Sequence, residues 1–424
     1  MENLLIKNIG LLVVDDHGKE RLCGSEMSRL TCIENAWLLV EDGRFKDWGS
    51  SSNTPCPTPH DATQAPQGST EEVDAQGGAV LPSFCDPHTH LVYADSREEE
   101  FVDKIRGLSY EEIAKRGGGI LNSADRLHEL SEEQLYQQAM ARVWEIVAKG
   151  TGAVEIKSGY GLNTQDELKM LRVIRRIKET APLKVMATFL GAHAVGRAYS
   201  GRQSEYVDLV IREMIPEVGR QGLADFIDVF CDKGFFTPEE TARMLEAGQK
   251  WGLRAKIHGQ ELADSGGVEV AVRHHALSVD HLESMTQRDI SLLANSNTMP
   301  TALPGTSFFL NMPFAPARKI IEAGLPLAIA SDYNPGSTPS GDMKFVLSLA
   351  CIKMRLLPQE ALNAGTLNAA AAMGLSHDYG SIGRGKVANF FITQPIRGIA
   401  FLPYAYTTPL IRQVFLQGKA VQQP

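Results

Sequence analysis

The alternation of short apolar runs with helical segments between residues 79 and 332 constrains the fold more than any other feature. Typical helical segments cover residues 164–179 and 238–252. The apolar runs read AVLPSFCD, TGAVEIKSG, KVMATFLGA, FIDVFCD, RAKIHG, LSVDHL, TMPTALP and LPLAIASD. Eight strand-like runs, most of them followed by a helix, predict an α/β chain with a (β/α)8 TIM-like barrel.

The two ends of the chain are rich in strand-like runs and lack the alternation of strands with helices. Residues 1–50 contain short strand-like runs, and Asp42–Gly43 between apolar residues is a strong hairpin signal. The tail from residue 380 is also rich in strand-like segments. We therefore predict a small β-sandwich domain formed from both chain ends, residues 1–80 plus 381–424, beside a barrel of residues 81–380.

Composition excludes several classes of function. The formal net charge is −9 and the pI about 5.7, which is not the basic surface of a nucleic-acid-binding protein. No apolar run reaches the length of about 20 residues that spans a bilayer. The six cysteines form no C-x-x-C pair. These features predict a reduced, cytoplasmic protein that binds neither nucleic acid nor membrane.

Histidines and one aspartate fall at the ends of the predicted barrel strands. They are His88 and His90 after the first strand, His193 after the third, His258 in the fifth, His281 in the sixth, and Asp332 after the eighth. Because the carboxyl ends of barrel strands open onto one face, these residues are expected to meet there.

This pattern predicts a metal site. The two imidazoles of "PHTH" point the same way if the segment is extended. With His258 and Asp332 they form a donor set suited to one divalent metal ion with a free position for water. Taken singly, each residue also fits another interpretation: H-x-H alone is a weak signal, His193 or His281 alone is often a hydrogen-bonded core histidine, and Asp332 alone can be a turn residue.

Several stretches together resemble the amidohydrolase superfamily of metal-dependent hydrolases and, within it, the imidazolonepropionase family. They read DPHTHLVYADSREEEF, EIKSGYGL, FLGAHAV, DVFCDKG, KIHGQEL, SVDHLESM, LPGTSFFLNMPFAPARK and ASDYNPGSTPSG. The chain departs from the family's pattern at Asp95, Gly196, Gly259 and Gln260, none of which is a candidate ligand.

The resemblance implies particular site residues. It implies metal ligands at His88, His90, His258 and Asp332, with His281 beside them. It implies substrate contacts at Arg97, Tyr110, Tyr160, His193, Glu261, Asn334, Gly336 and Ser337. It also implies one zinc or iron ion per chain, without carbamylation of Lys157, and a homodimer.

The implied reaction is hydrolysis of 4-imidazolone-5-propanoate to N-formimidoyl-L-glutamate, a step of histidine degradation. Asp332 is the candidate proton acceptor, neutral His281 a hydrogen-bonding partner of the attacked oxygen or the water, and Glu261 the group that holds or protonates a ring nitrogen. Two alternatives stay open: another amidohydrolase, such as a deaminase or a hydrolase of a different cyclic amide, and a non-catalytic binding protein on a barrel scaffold.

Arg97 allows two interpretations. Seven residues after His90, its guanidinium could reach over the metal pocket and hold the propanoate carboxylate with two parallel bonds. Alternatively, "SREEEF" is a solvated helix start in which Arg97 pairs with Glu100 or is simply hydrated. Glu261 also has a structural alternative, as a carboxylate near a helix N-terminus.

Overall fold

The computed structural model describes residues 2–15, 17–53, 69–108, 112 and 118–422 of the chain. Its strands form two sheets, one from the chain ends and one from the middle. In chain order the strands are β1 (Glu2–Val14), β2 (Thr31–Glu41), β3 (Arg44–Ser50), β4 (Ser69–Asp74), β5 (Ala79–Pro82), β6 (Phe84–Thr89), β7 (Thr151–Lys157), β8 (Lys184–Ala192), β9 (Phe226–Cys231), β10 (Arg254–Ala255), β11 (Ile257–Gly259), β12 (Ser278–His281), β13 (Met299–Ala302), β14 (Ala328–Ile329), β15 (Phe390–Thr393), β16 (Ile411–Leu416) and β17 (Lys419–Ala420).

The sheet from the chain ends is continuous, in the order β17-β16-β15-β5-β1-β2-β3, with β4 paired to β1. The predicted hairpin is confirmed: β2 and β3 pair antiparallel, and Asp42 and Gly43 both have positive φ angles, 49° and 72°, as a type I′ turn requires. Phe45 of β3 packs against Phe390 of β15, with ring centroids 6.0 Å apart. The sheet therefore curls over its own apolar face.

The middle of the chain forms the predicted barrel. Its strands are parallel, in the order β6-β7-β8-β9-β11-β12-β13-β14, with β10 as a short extension pairing β9. A parallel bridge between Thr89 and Tyr333 links the first strand to the segment after the last. The (β/α)8 prediction is thus confirmed as a nearly closed eight-stranded barrel.

The first predicted strand, AVLPSFCD, is in fact two strands. β5 belongs to the sheet from the chain ends, and β6 belongs to the barrel. The chain changes sheets at Ser83, whose N–H donates to the carbonyl of Asn389. Apolar periodicity does not separate two buried strands joined by one residue, which explains the difference. The domain boundaries themselves stay a prediction.

Helices cover the outside of the barrel. The helical predictions at 164–179 and 238–252 are confirmed by the fourth and seventh helices below, which begin at the side-chain caps Asn163 and Thr237. The helices are α1 (Glu98–Ile105), α2 (Ile120–Glu129), α3 (Glu132–Ala148), α4 (Thr164–Thr180), α5 (Gln203–Leu209), α6 (Ile215–Gln221), α7 (Pro238–Gln249), α8 (Gly267–Arg273), α9 (Gln287–Ala294), α10 (Pro304–Phe309), α11 (Ala317–Glu322), α12 (Met343–Met354), α13 (Pro358–Ala364), α14 (Leu367–Ala371) and α15 (Phe401–Tyr404). Among the described residues, no helix has the length and apolar character needed to cross a membrane.

Candidate active site

Three histidines converge at the carboxyl ends of the barrel strands. Nε2 of His90 lies 3.2 Å from Nε2 of His88 and 3.4 Å from Nε2 of His258. All three side chains are buried. Burial lowers the pKa of His88 and of His90 well below its ordinary value, so both rings are neutral at pH 7.

Buried carboxylates orient two of these rings from behind. Oδ2 of Asp280 lies 2.7 Å from Nδ1 of His88, and Oδ2 of Asp228 lies 2.9 Å from Nδ1 of His258. Nδ1 of His88 and Oδ2 of Asp280 form a hydrogen bond, and such a bond to a carboxylate keeps the proton on Nδ1 and leaves Nε2 with its lone pair. That lone pair faces Nε2 of His90 in the cluster, an arrangement that a cation stabilises.

The separations of these nitrogens fit one metal ion. Two nitrogens at about 2.0–2.1 Å from a tetrahedral zinc ion lie about 3.3 Å apart, close to the two Nε2 separations above. The donor set of imidazoles with a carboxylate is also the chemistry that zinc and iron accept. The residues of this chain thus fit the metal that the sequence predicts.

Asp332 completes the cluster. Its Oδ1 lies 3.7 Å from Nε2 of His88 and 3.6 Å from Nε2 of His90. Its Oδ2 accepts hydrogen bonds from the hydroxyls of Thr306, at 2.5 Å, and Ser337, at 3.2 Å. Asp332 has a φ of +56°, an unusual conformation for a non-glycine residue that is often found at functional sites.

Lys157 lies beneath the cluster in a buried network of charges. Its ammonium is 2.5 Å from Glu155 and 2.8 Å from Asp228, while Lys256 pairs with the other oxygen of Glu155. Although burial opposes the charge, Asp228 and Glu155 raise the pKa of Lys157. Because a carbamate forms only on a neutral amine, this network disfavours carbamylation of Lys157.

His281 and Glu261 face each other on one side of the histidine cluster. Nδ1 of His281 lies 3.6 Å from Glu261 and 3.7 Å from Glu283. Burial, the largest influence, raises the pKa of Glu261 to about 7. Burial lowers the pKa of His281, but Glu261 and Glu283 outweigh it and raise that pKa to about 10. A metal ion bound beside His281 would favour the neutral ring that the sequence predicts.

Arg97 lines the same cavity, but it is not free. Its side chain is buried, and its Nη2 donates to Glu100 at 2.5 Å. The pairing with Glu100 is the one that the alternative interpretation anticipated, yet the pair is buried rather than solvated. A Cβ built on Gly336 would overlap the guanidinium of Arg97, so glycine at 336 leaves room for Arg97.

A tight turn after the eighth strand carries three further candidates. Oδ1 of Asn334 accepts the backbone N–H groups of Gly336 and Ser337, both at 2.8 Å. Its Nδ2 donates to the carbonyl of Asp332 at 2.7 Å. Asn334 thus holds the turn in place, and all three turn residues line the cavity.

Two more candidates form another wall of the cavity, and one lies outside the described residues. Nδ1 of His193 lies 3.0 Å from the carbonyl of Gly159, which fixes a proton on Nδ1 and leaves Nε2 as an acceptor. The ring of Tyr160 is 5.4 Å from that of His193, centroid to centroid. Tyr110 lies outside the described residues.

Sequence reasoning missed several residues at the site. Lys104, Ile120, Phe230 and Leu310 also line the cavity. Lys104 and Ile120 lie on α1 and α2, which the strand-end pattern does not cover. Phe230 lies within β9, where an apolar residue is expected for packing alone.

Two of the residues that depart from the family's pattern, Gly259 and Gln260, have contacts outside the set of candidate ligands. The side chain of Gln260 donates to Asp264 and Asp289 and is not among the cavity-lining residues. A Cβ on Gly259 would lie 3.2 Å from Cα of Gly267, so glycine permits a close approach there.

The chain matches known proteins over its whole length. The model of the amidohydrolase family matches residues 79–421. An imidazolonepropionase of Christiangramia forsetii is 52% identical over 99% of this chain and 100% of its own length; one from Flavobacterium psychrophilum is 50% identical, with the same coverage. Among solved structures, guanine deaminase of E. coli superposes with a TM-score of 0.74 at 14% identity, over 100% of this chain and 99% of its own. That structural likeness shows the fold alone.

Proposed function

This chain belongs to the imidazolonepropionase family within the amidohydrolases, and from that premise we propose that it hydrolyses 4-imidazolone-5-propanoate to N-formimidoyl-L-glutamate in histidine degradation. The observation that carries the proposal is that one cavity is lined both by the cluster of histidines with Asp332 and by two cationic side chains, Arg97 and Lys104. That combination fits a substrate with both a hydrolysable ring carbonyl and a carboxylate.

We assign His88, His90, His258 and Asp332 as the ligands of one metal ion per chain, zinc or iron. The assignment is supported by the short separations among the Nε2 atoms of the three histidines and Oδ1 of Asp332. When bound, the metal supplies Lewis acidity, which lowers the pKa of a water molecule and polarises the carbonyl. The ion pairs of Lys157 with Glu155 and Asp228 keep its amine charged and disfavour a bridging carbamate, which supports one ion rather than two.

The chain's own residues then handle the protons. Water adds to the ring carbonyl carbon, the ring C–N bond breaks, and the released nitrogen gains a proton. Asp332 takes the proton of the water, while Thr306 and Ser337 hold its carboxylate in position. Glu261 has a pKa of about 7, which suits a carboxyl that delivers a proton to the ring nitrogen near neutral pH.

Other residues bind and orient the substrate. An N–H of His281 can donate to the attacked oxygen in either protonation state, and Nε2 of His193 can accept a ring N–H. Arg97 faces the propanoate carboxylate, and the turn of Asn334, Gly336 and Ser337 closes that side of the cavity. Tyr160 lies on the same side as His193. Tyr110 remains a proposed contact on the strength of the resemblance.

We also propose a cytoplasmic homodimer. The described cysteines, Cys23, Cys32, Cys85, Cys231 and Cys351, form no disulfide, which agrees with a reducing compartment. The homodimer rests on family resemblance and is tested by light scattering of the metal-loaded protein.

A substrate panel separates this function from the alternative of a deaminase. We expect the metal-loaded protein to open imidazolonepropanoate and to release no ammonia from guanine or cytosine. Ring opening is measured as N-formimidoyl-L-glutamate formed, and deamination as free ammonia. Ammonia release with no ring opening would replace this proposal by the deaminase alternative, and binding without any turnover would favour the binding protein.

A further inference from the structure

Lys104 places a second cation beside Arg97 in the candidate active site. Arg97 is the N-cap residue of α1, and Lys104 lies in the last turn of the same helix. Nζ of Lys104 donates to the carbonyl of Gly336 at 2.7 Å. The guanidinium of Arg97 lies against the same glycine. The two cations therefore flank one residue of the cavity wall.

The charge of Arg97 is already balanced within the protein. Glu100 contacts Arg97 at 2.5 Å. The other oxygen of Glu100 accepts the N–H of Gly119 at 3.0 Å and Nδ2 of Asn122 at 3.2 Å. Arg97 and Glu100 thus form a buried pair with a net charge near zero, and Arg97 by itself adds little net positive charge to the cavity.

The charge of Lys104 is not balanced in this way. Within the described ranges, no carboxylate lies within ion-pair distance of its ammonium, and its hydrogen-bond partner is the neutral carbonyl of Gly336. An ammonium has three N–H donors, so donors remain for a ligand. Burial, and then Arg97, lower the pKa of Lys104 to about 8, as expected for a buried cation that is not paired with a carboxylate.

We propose that Lys104 binds the carboxylate of the substrate together with Arg97 and supplies the net positive charge that this anion requires. Arg97 then provides the geometry of a planar fork, and Lys104 provides the charge. This inference rests on the proposed function, because it assigns the group that recognises the propanoate arm.

A purely structural role for Lys104 makes a different prediction. If Lys104 only tied the 334–337 turn to α1, its loss would weaken every ligand of the cavity alike. A binding role instead affects only ligands that carry the anion. Paired ligands that differ in charge alone therefore separate the two roles.

The test uses 3-(imidazol-4-yl)propanoate and its uncharged carboxamide, titrated calorimetrically into metal-loaded protein. We expect the wild type to bind the carboxylate about tenfold or more tighter than the amide. Lys104→Met should lower the affinity for the carboxylate by about tenfold and the affinity for the amide by less than about twofold. Lys104→Arg should retain most of the preference, since it keeps the charge. Arg106→Met is the matched control: Arg106 lies at the same helix end, with its side chain 70% exposed, and its loss should leave both affinities unchanged.

The outcomes separate this inference from the proposed function. Three results would overturn the role of Lys104. They are an unchanged preference for the carboxylate in Lys104→Met, equally weakened binding of both ligands in that variant, and no preference for the carboxylate in the wild type. Lack of turnover of imidazolonepropanoate by the wild type overturns the proposed function instead, whatever the binding data show for Lys104.

Discussion

Nδ1 of His88 lies 2.7 Å from Oδ2 of Asp280, and this buried contact fixes which nitrogen of His88 faces His90 and the rest of the histidine cluster. Asp280 is not a ligand in our assignment. It acts through His88, as carboxylates behind metal-binding histidines commonly do. With His88 as a ligand, as proposed, metal affinity would depend on a residue that does not touch the ion.

Asp280→Asn should therefore weaken metal binding by about tenfold to a hundredfold. The amide can no longer hold a proton on Nδ1 as a carboxylate does. Competition with a chromogenic chelator measures the affinity. Ser278→Ala is the control, because Ser278 donates to the other oxygen, Oδ1, and leaves the contact with His88 intact. Equal affinity in Asp280→Asn and wild type would show that Asp280 does not orient His88.

Removing a ligand should have a different effect from removing a neighbour of the ligands. His88→Ala and Asp332→Ala should lower metal content to a small fraction of one ion per chain and abolish turnover. His281→Ala should lose turnover yet keep most of its metal, measured by emission spectroscopy on purified protein. If His281→Ala lost the metal and His258→Ala kept it, the ligand assignment would be wrong.

The strand-end residues were the most predictable part of the site. Alternation of strand and helix is enough to bring His88, His258 and Asp332 to one rim, because all parallel barrel strands end there. The same reasoning anticipated His281 at the end of β12. The alternation of strand and helix does not predict local backbone geometry, such as the positive φ of Asp332.

Sequence reasoning also missed two buried carboxylates of the site, for a different physical reason from Lys104. Asp228 and Asp280 lie inside buried strands, where a charged residue is rare unless it has a partner; that contrast is a signal that sequence reading could have used. Lys104 lies on α1 beyond the first strand, and its approach to Gly336 depends on packing between segments 232 residues apart. No local pattern encodes that contact.

Arg97→Met should reduce both substrate recognition and stability. The loss of a charge-assisted bond to the carboxylate costs about 1.5–3 kcal/mol, or about tenfold to a hundredfold in kcat/KM. The loss of a solvated arginine would leave the melting temperature unchanged. Here the melting temperature should fall, because Glu100 remains buried without its cation, which lowers the free energy of unfolding by about 1–3 kcal/mol.

A double variant separates these two effects of Arg97. Arg97→Met with Glu100→Gln should recover the melting temperature, measured by calorimetry, without recovering kcat/KM. Recovery of kcat/KM in the double variant would mean that Arg97 acts only by neutralising Glu100.

The pH dependence of substrate capture should report Lys104. Its pKa is lowered to about 8, first by burial and then by Arg97, while Glu100 opposes the shift. Lysine is a cation below its pKa, so kcat/KM on imidazolonepropanoate should fall as the pH rises through about 8. Glu261, as a proton donor with a pKa of about 7, should give an earlier fall in both proteins. The fall should steepen above about pH 8 only in the wild type, because Lys104→Arg stays charged far above that pH. An identical alkaline limb in the arginine variant would assign it to another group.

The decisive measurement for the proposed function is turnover of 4-imidazolone-5-propanoate by metal-quantified protein. Metal-free protein is titrated with zinc or iron(II), and the formation of N-formimidoyl-L-glutamate is followed at each step. We expect a rate that rises in proportion to bound metal and levels off at one ion per chain. Absence of product from fully loaded protein, or a rate independent of metal content, would contradict it.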